Sequence, residues 1–447
     1  MRSLTLKKRG DGVAILLFDT PKRPVNVLSG EMLEEAGPLM EQIQDDETIV
    51  ACVLASAKPD SFIAGADLDQ VVGMTAKEAE AISRGAHEWL DRVEKSRKPF
   101  VAAIHGTALG GGLEVALACH YRIATDHTKT VLALPEVMLG VLPAAGGTQR
   151  LPRLIGLQRA LPMLLTGKRV RAAQAYRHGL VDALTSPGGL VETAAKAALG
   201  LANGTLKPNR DKQPFTEKPL ALPPVRAYAL GKARDEVMRK TRGLYPAPLE
   251  ILACVEKGLA DGMKAGQKEE AVRFGRLVGS EGSKNLIRLF DAMTALKKTP
   301  KGVEPKAVKR LGVLGAGLMG EGIAAVSLGL GPVVLKDVSD EGLSRAARNL
   351  RKGLDRRVRS GGLTRLERDK QWYGLRPTTR TEDLAGCDLV IEAVFEDLAL
   401  KRQVLSEVEA ALAPDAVFAS NTSALPIAQI AAKAKHPERV VGMHYFS

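Results

Sequence analysis

The stretch that decides the fold of this chain runs from residue 102 to residue 114 and reads AAIHGTALGGGLE. It predicts a buried strand, a glycine turn and a helix that opens with the carboxylate of Glu114. Three consecutive glycines let a backbone approach a ligand in conformations that a Cβ forbids. They also leave N–H groups unpaired at a helix start, where the dipole favours negative charge such as that of a developing enolate. For the glycines alone, a tight turn that only packs the strand against the helix is the alternative.

Two further regions favour the chemical interpretation. Residues 61–68 read SFIAGADL, an apolar strand that breaks at small residues. Farther along, residues 134–136 read LPE and residues 140–152 read GVLPAAGGTQRLP. In this order and spacing, FIAGADL, ALGGGLE, LPE and GGTQRLP resemble the crotonase family of enoyl-CoA hydratases and isomerases, over residues 1–200.

The resemblance implies an α/β fold in which ββα turns wind into a spiral, and a site built from four residues. The backbone amides of Ala66 and Gly111 would form the oxyanion hole for a thioester carbonyl, and the carboxylates of Glu114 and Glu136 would hold and activate a water molecule. Two acids favour a hydratase, because a single-acid isomerase of the family does not need the second one. An isomerase or thioesterase of the same family is the chemical alternative.

Composition limits the remaining classes of function. The chain has 447 residues, of which 45% are hydrophobic and 26% charged, so it can form several globular domains. Its 64 Lys and Arg against 51 Asp and Glu give a net charge of +13. That sign suits polyanionic ligands such as coenzyme A and NAD. Nucleic acid is not expected as a partner, because aromatic residues are only 4% and no motif of that class occurs.

Cysteine usage and the first residues bear on the compartment. The four cysteines are widely spaced without a CxxC pair, which is typical of reduced thiols in a cytoplasmic protein. The N-terminal residues lack the apolar core of a signal peptide, and no apolar run reaches the ~18 residues of a membrane span. We therefore predict a cytoplasmic protein without a transmembrane segment.

Two polar residues of the first module have two interpretations each. Arg23 lies in the sequence RPVNVL, which in the family borders the CoA site, so it could contact a phosphate, but a solvated surface charge is the favoured interpretation. His178 stands in a stretch that resembles the closing helices of the crotonase fold. It could serve as a base, but a polar residue at a helix end is the favoured interpretation.

A linker is predicted between the two modules, over residues 201–305. Residues 205–224 are rich in proline and basic residues, which favours an extended backbone. Helical periodicity returns at 249–255 and from 269 to 296, before a second break at 297–302.

A second chemical module opens at residues 308–320, which read VKRLGVLGAGLMG. The pattern predicts a strand, a G-x-G-x-x-G turn and a helix, followed by a second strand that ends at Asp337. Asp337 follows the first glycine by about 20 positions, as the dinucleotide fingerprint requires, and its carboxylate would bind ribose hydroxyls and repel a 2′-phosphate. The predicted cofactor is therefore NAD rather than NADP, and a glycine turn in an unrelated βαβ unit is the alternative. The predicted turn residues are Gly315, Gly317, Met319 and Gly320.

Three later stretches resemble the NAD domain of 3-hydroxyacyl-CoA dehydrogenases, over residues 306–447: DLVIEAVFED, VFASNTS and VVGMHYFS. The resemblance implies that Glu396, Lys401 and Ser423 line the NAD ribose, the nicotinamide or the substrate. His444 would be the general base that takes the 3-hydroxyl proton, a role that suits an imidazole. The domain is expected to be truncated, because in the family a glutamate partner of the histidine and a C-terminal helical domain follow the HYFS motif.

A hydratase module, a linker and a dehydrogenase module in one chain resemble the α subunits of bacterial fatty-acid oxidation complexes. This resemblance implies β-oxidation of acyl-CoA substrates. The chain would hydrate trans-2-enoyl-CoA to L-3-hydroxyacyl-CoA, and a full-length member would then oxidise that product with NAD. It also implies a thiolase (β) subunit as partner and an oligomer. No metal ligands are predicted. A CoA- and NAD-binding fragment without dehydrogenase turnover is the alternative. One departure is Ala144, where the family usually has glycine; a positive φ there would strain the loop.

Overall fold

The computed structural model of the chain describes residues 2–210, 213–300 and 302–446. The chain forms two compact units, Met1–Lys298 and Thr299–Ser447. Helices and mainly parallel sheets occur in both units, which confirms the predicted α/β class. In the described ranges, no helix is long and apolar enough to cross a bilayer.

The first unit contains two sheets, with strand orders β1-β2-β3-β5-β7-β10 and β4-β6-β8-β9. Neighbouring strands are parallel, except that β1 pairs with β2 and β8 pairs with β9 in antiparallel fashion. Consecutive strands from β3 to β8 alternate between the sheets, so the backbone winds as a spiral of ββ turns. The strands are β1 (Leu4–Lys8), β2 (Val13–Phe18), β3 (Ala51–Ser56), β4 (Ser61–Ile63), β5 (Phe100–Ile104), β6 (Thr107–Leu109), β7 (Tyr121–Thr125), β8 (Val131–Ala133), β9 (Val170–Arg171) and β10 (Ala183–Thr185).

Helices cover both sheets and follow local sequence signals. In α3, for example, Thr75 caps the N-terminus and Glu78 completes a capping box. The helices are α1 (Gly30–Asp45), α2 (Leu68–Val72), α3 (Ala76–Glu94), α4 (Gly111–Ala118), α5 (Gly147–Ile155), α6 (Leu157–Thr166), α7 (Ala172–His178), α8 (Leu190–Ala202), α9 (Pro223–Thr241), α10 (Ala247–Asp261), α11 (Met263–Val278) and α12 (Glu281–Leu296), with 3₁₀ turns at Glu136–Leu139, Pro187–Gly189 and Phe215–Ala221.

The stretch that opened the sequence analysis forms the centre of the first unit. Every residue of β5 is buried, as expected for a parallel strand covered on both faces. Helix α8 covers one face of the larger sheet, where Ala194 and Ala198 pack with Val53 and Val101. The glycine turn after β6 then leads directly into α4.

The segment expected to be a linker contributes a helical layer to the first unit. Ile251 and Leu252 of α10 and Phe274 of α11 are buried in the same core as the sheets. The boundary between the units consequently falls after Lys298. The physical reason is that an amphipathic helix must bury its apolar stripe against a surface, and here that surface is the core of the first unit.

The second unit is built on one parallel sheet in the order β13-β12-β11-β14-β15-β16. This is the doubly wound order 3-2-1-4-5-6 of dinucleotide-binding folds, in which ligands bind at the carboxyl ends of the strands where the order reverses. Its elements are β11 (Leu311–Leu314), α13 (Leu318–Ser327), β12 (Val333–Lys336), α14 (Asp340–Arg359), α15 (Arg365–Tyr373), β13 (Leu375–Thr378), β14 (Leu389–Glu392), α16 (Leu398–Glu409), β15 (Val417–Ser420), α17 (Ile427–Ala431) and β16 (Val440–Gly442), with 3₁₀ turns at Thr381–Leu384 and Pro437–Arg439.

Candidate active sites

The glycine turn before α4 is shaped by close contacts. Gly110 has φ +54°, and a Cβ there would lie 2.7 Å from Oε1 of Glu136. A Cβ on Gly112 would lie 2.3 Å from the carbonyl oxygen of Ile63, at the end of β4. Since both contacts are closer than a Cβ tolerates, glycine lets the turn lie directly against a carboxyl group and lets α4 pack on β4.

The two amides expected to form an oxyanion hole follow β4 and β6, which pair in parallel. The Leu28 N–H donates to the Gly65 carbonyl at 2.8 Å, and the Asp67 N–H donates to the Leu28 carbonyl at 3.0 Å. In this parallel bridge, the N–H of the intervening Ala66 points away from Leu28. Gly111 is the first residue of α4, where a helix leaves its N–H without an intrahelical acceptor. Both donors therefore lie at neighbouring strand ends.

Glu114 is held by the loop that leads into α5. Its Oε1 accepts hydrogen bonds from the Ala145 and Gly147 N–H groups, each at 2.7 Å. Glu114 is only 2% exposed to solvent. Burial, together with the nearby Glu270 carboxylate, raises the pKa of Glu114 to about 7, although the two amides favour its charged form. Glu114 is thus a carboxyl group that changes charge near neutral pH.

Glu136 opens the 3₁₀ turn after β8 and has a different environment. Its Oε2 atom is shielded from solvent and has no hydrogen-bond partner among the described residues. Burial and the Glu114 carboxylate raise the pKa of Glu136 well above its ordinary value. Because only the Glu114 charge receives two backbone N–H bonds, the surroundings favour the ionised form of Glu114 over that of Glu136.

The departure at Ala144 causes no backbone strain. Among the described residues, the non-glycine residues with positive φ are Lys22 and Arg242. The Ala144 carbonyl accepts a hydrogen bond from Ser83 Oγ at 2.6 Å, which fixes the loop on α3.

The two ambiguous polar residues are also located. Arg23 pairs with the Asp67 carboxylate at 2.9 Å, and its side chain is 41% exposed, so it is a surface charge with an ion-pair partner next to Ala66 in the sequence. His178 is the last residue of α7, which agrees with the favoured interpretation of a polar residue at a helix end.

Sequence reasoning missed a third carboxyl group at this site, that of Glu270. Glu270 of α11 is fully buried and accepts hydrogen bonds from the N–H groups of Gly146 (2.6 Å) and Thr148 (3.2 Å). His87 of α3 lies 2.8 Å from the same carboxylate. The available signal was an acidic residue at a core-facing position of a helix, four residues before the buried Phe274.

In the second unit, the three fingerprint glycines have the three expected environments. Gly315 has φ +94°, and a Cβ there would lie 2.7 Å from the Ala393 carbonyl oxygen. A Cβ on Gly317 would meet nothing within 4 Å, so this side of the turn is open to a ligand. A Cβ on Gly320 would lie 1.8 Å from the Gly315 carbonyl oxygen. These are the tight turn, the open approach and the close helix–strand packing of a pyrophosphate-binding turn.

Asp337 follows β12 directly and lies beside that turn. Its Oδ2 accepts a hydrogen bond from the Ala316 N–H at 2.6 Å, and its Oδ1 accepts one from the Ser339 N–H at 3.0 Å. Met319 is half-buried at the second position of α13. The carboxylate is therefore fixed at the strand end where the fingerprint requires it.

Three of the remaining predicted residues lie together after β14 and β15. The Ser423 N–H donates to Glu396 Oε1 at 3.1 Å, and Lys401 Nζ lies 3.2 Å from Glu396 Oε2. Lys401 is only 1% exposed, because its ammonium group also donates to the buried Glu392 at 2.7 Å. Lys401 consequently lies behind Glu396, and the Glu392 carboxylate is a residue that sequence reasoning missed.

His444 lies just after β16, the edge strand beside β15, and is exposed. Its ring packs against the ring of Phe446, with centroids 4.6 Å apart. The next residue, Tyr445, donates its N–H to Asn421 Oδ1 at 2.6 Å, which ties this segment to the end of β15.

Comparison with known proteins gives two family matches. Residues 8–211 match the family model described as enoyl-CoA hydratase/isomerase, and residues 310–447 match 3-hydroxyacyl-CoA dehydrogenase, NAD binding domain. The whole chain is similar to the fatty acid oxidation complex subunit alpha of Shewanella amazonensis (45% identical, 64% of that protein covered) and of Idiomarina loihiensis (42%, 63% covered). The chain thus spans slightly less than two thirds of the length of these relatives.

Among solved structures, the chain is similar to an enoyl-CoA hydratase from Bacillus anthracis, with 26% identity and a TM-score of 0.43 over 65% of this chain and 97% of that one. The two family matches fall on the two units separately and include the glycine turns of both. The chain therefore contains an enoyl-CoA hydratase/isomerase domain of crotonase fold, matched over residues 8–211, and a Rossmann-like domain matched over residues 310–447 by the NAD binding domain of 3-hydroxyacyl-CoA dehydrogenases.

Proposed function

We propose that the first unit hydrates trans-2-enoyl-CoA to L-3-hydroxyacyl-CoA in fatty-acid β-oxidation. The observation that carries this proposal is the pair Glu114 and Glu136, whose surroundings separate their ionisation. Glu114 has two N–H donors on one oxygen, whereas Glu136 has an unpartnered, shielded oxygen. Such a pair supplies one base and one acid at the same pH.

In this proposal, Glu114 is the base and Glu136 is the acid. Glu114 takes a proton from water as the water oxygen bonds to C3 of the enoyl group. The π electrons move toward the thioester, whose oxygen takes the negative charge. Glu136 then gives its proton to C2. A proton passes from Glu114 to Glu136 through the next water, which restores the pair.

The negative charge on the thioester oxygen needs donors that are already in place. We assign this role to the N–H groups of Ala66 and Gly111, at the ends of β4 and β6. Neither amide takes part in the pairing around it, so each can donate to the ligand without breaking a protein hydrogen bond.

For the second unit we propose NAD binding, and dehydrogenase activity in a full-length member of the family. The turn at Gly315, Gly317 and Gly320 would hold the pyrophosphate, with Met319 beside it, and Asp337 would bind the ribose hydroxyls. When bound, NAD accepts the hydride from C3 of the hydroxyacyl group.

The residues at the other strand ends would handle the substrate and its proton. Glu396 and Ser423 would contact the nucleotide or the substrate, while Lys401 would orient Glu396 from behind. His444 would take the 3-hydroxyl proton. The exposure of its ring after β16 leaves it open to a substrate.

The partners and setting are also proposals. We propose acyl-CoA thioesters as substrates, a thiolase β subunit as partner, and oligomeric assembly, since the relatives are named as α subunits of a complex. We further propose a cytoplasmic location, for which the support is that Cys52, Cys119, Cys254 and Cys387 are all unpaired. The catalytic modules are proposed to occupy residues 1–200 and 306–447.

The test of the hydratase proposal is an absorbance assay of crotonyl-CoA with the purified chain. We expect the enoyl absorbance to fall and 3-hydroxybutyryl-CoA to form, and both to depend on Glu136. Conversion of 3-enoyl-CoA to 2-enoyl-CoA without any hydration would instead identify an isomerase and contradict the proposal.

A further inference from the structure

The loop before α5 is bound by two buried carboxylates in strict alternation. The N–H groups of residues 145 and 147 donate to Glu114, and those of residues 146 and 148 donate to Glu270. The Thr148 hydroxyl also donates to Glu270. The four successive amides around the start of α5 are thereby shared between a residue of the proposed site and a residue of α11.

Glu270 has its own support. It is fully buried, and its Oε1 lies 2.8 Å from Nε2 of His87, which is 5% exposed on α3. A buried carboxylate without such partners would be costly, so the histidine and the amides together keep Glu270 in one position.

Glycines in the helical layer leave room for this arrangement. Gln149 is fully buried and donates to Thr148 Oγ1 at 2.8 Å and to the Cys254 carbonyl at 2.9 Å. A Cβ on Gly258 of α10 or on Gly266 of α11 would lie within 2.2 Å of the Gln149 side-chain oxygen. The two helices can therefore close onto the start of α5 only because these positions lack side chains.

The geometry points to Glu270 as a positioning residue for Glu114, acting through the loop of residues 145–148. Adjacent peptide planes share Cα atoms, so the amides that face Glu114 keep their direction only while the intervening amides are held by Glu270. Without that support, the N–H groups of Ala145 and Gly147 no longer converge on one oxygen, and the base loses its alignment. This inference rests on the proposed hydratase function, and it extends the site to a helix outside the matched residues 8–211.

A purely structural role for Glu270 is the competing explanation, and a matched control separates the two. Glu217 is also a buried glutamate, 8% exposed, that accepts hydrogen bonds from two helix-start amides, Leu157 and Gln158, each at 2.8 Å. It caps α6, and the hydrogen bonds that the structure describes for it go to these amides and not to Glu114 or residues 145–148. Glu217→Gln should cost a similar amount of stability and leave kcat within about twofold.

The experiment is a double-mutant cycle in the crotonyl-CoA assay on the full 447-residue chain. We expect Glu270→Gln to lower kcat at least about tenfold with KM within about twofold, and to have no further effect in a Glu114→Gln background. If the Glu270 and Glu114 effects multiply, or if Glu270→Gln keeps wild-type kcat, the positioning role is wrong.

Two further outcomes are covered. Should Glu270→Gln fail to fold, His87→Asn enters the same cycle, because it withdraws the partner of Glu270 and leaves the carboxylate in place. It should then lower kcat only when Glu114 is present, and an equal loss in both backgrounds would overturn the inference. A wild-type chain without hydratase activity would contradict the proposed function itself.

Discussion

Replacing Glu114 by glutamine removes the proposed base with little change to the structure around it. Glutamine keeps a side-chain oxygen, which can still accept the N–H groups of Ala145 and Gly147 at the present 2.7 Å. It also removes a charge that raises the pKa of Glu136. We therefore expect the free energy of unfolding to change by less than about 1 kcal/mol.

The expected loss is in the chemical step. Losing a positioned acid–base group costs at least ~10² in kcat, or about 2.7 kcal/mol of transition-state stabilisation. The assay is the initial rate of crotonyl-CoA hydration at saturating substrate, with thermal melting on the same samples and Glu217→Gln as the control. A folded Glu114→Gln variant that hydrates crotonyl-CoA at more than half the wild-type rate would refute the assignment of the base.

Three other outcomes follow from the contacts in the two units. The value of kcat/KM should fall as the pH drops through about 7, because Glu114, whose pKa is raised to about 7, must be ionised to take a proton. A value of kcat/KM that rises on acidification would contradict this. Gly112→Ala should lower the free energy of unfolding by about 1–3 kcal/mol, because its Cβ would lie 2.3 Å from the backbone of Ile63. Gly85→Ala on α3 has open space around the new Cβ and should raise the free energy of unfolding by about 0.5–1 kcal/mol. Thermal and denaturant melts of both variants check these values. Asp337→Ala should weaken NAD binding by roughly tenfold or more and reduce the preference over NADP, as measured by calorimetry, and an unchanged NAD affinity would remove Asp337 from the site.

Local patterns carried most of what could be predicted. The glycine turns at residues 110–112 and 315–320 could be predicted from the sequence, because positive φ and close backbone contacts exclude other residues there. Local sequence order likewise places Glu114 in the first turn of α4, Glu136 in the 3₁₀ turn after β8 and Asp337 directly after β12.

Long-range partners could not be predicted in the same way. The bond from the Gly146 amide to Glu270 joins residues 124 positions apart, and no local pattern encodes such a pair. For that reason the sequence predicts only a linker where the structure has a helical layer. Likewise, the buried Lys401 pairs with Glu392, the last residue of β14, and no local pattern indicates which residue will be its partner.

The most direct test of the central claim is isotope incorporation from water by the wild-type chain. Crotonyl-CoA incubated with the chain in deuterated, heavy-oxygen water should yield 3-hydroxybutyryl-CoA with one heavy oxygen at C3 and one deuterium at C2, and both labels should be lost in a folded Glu114→Gln, Glu136→Gln double variant. Deuterium exchange at carbon without heavy oxygen at C3 would contradict hydration by this pair of carboxyl groups.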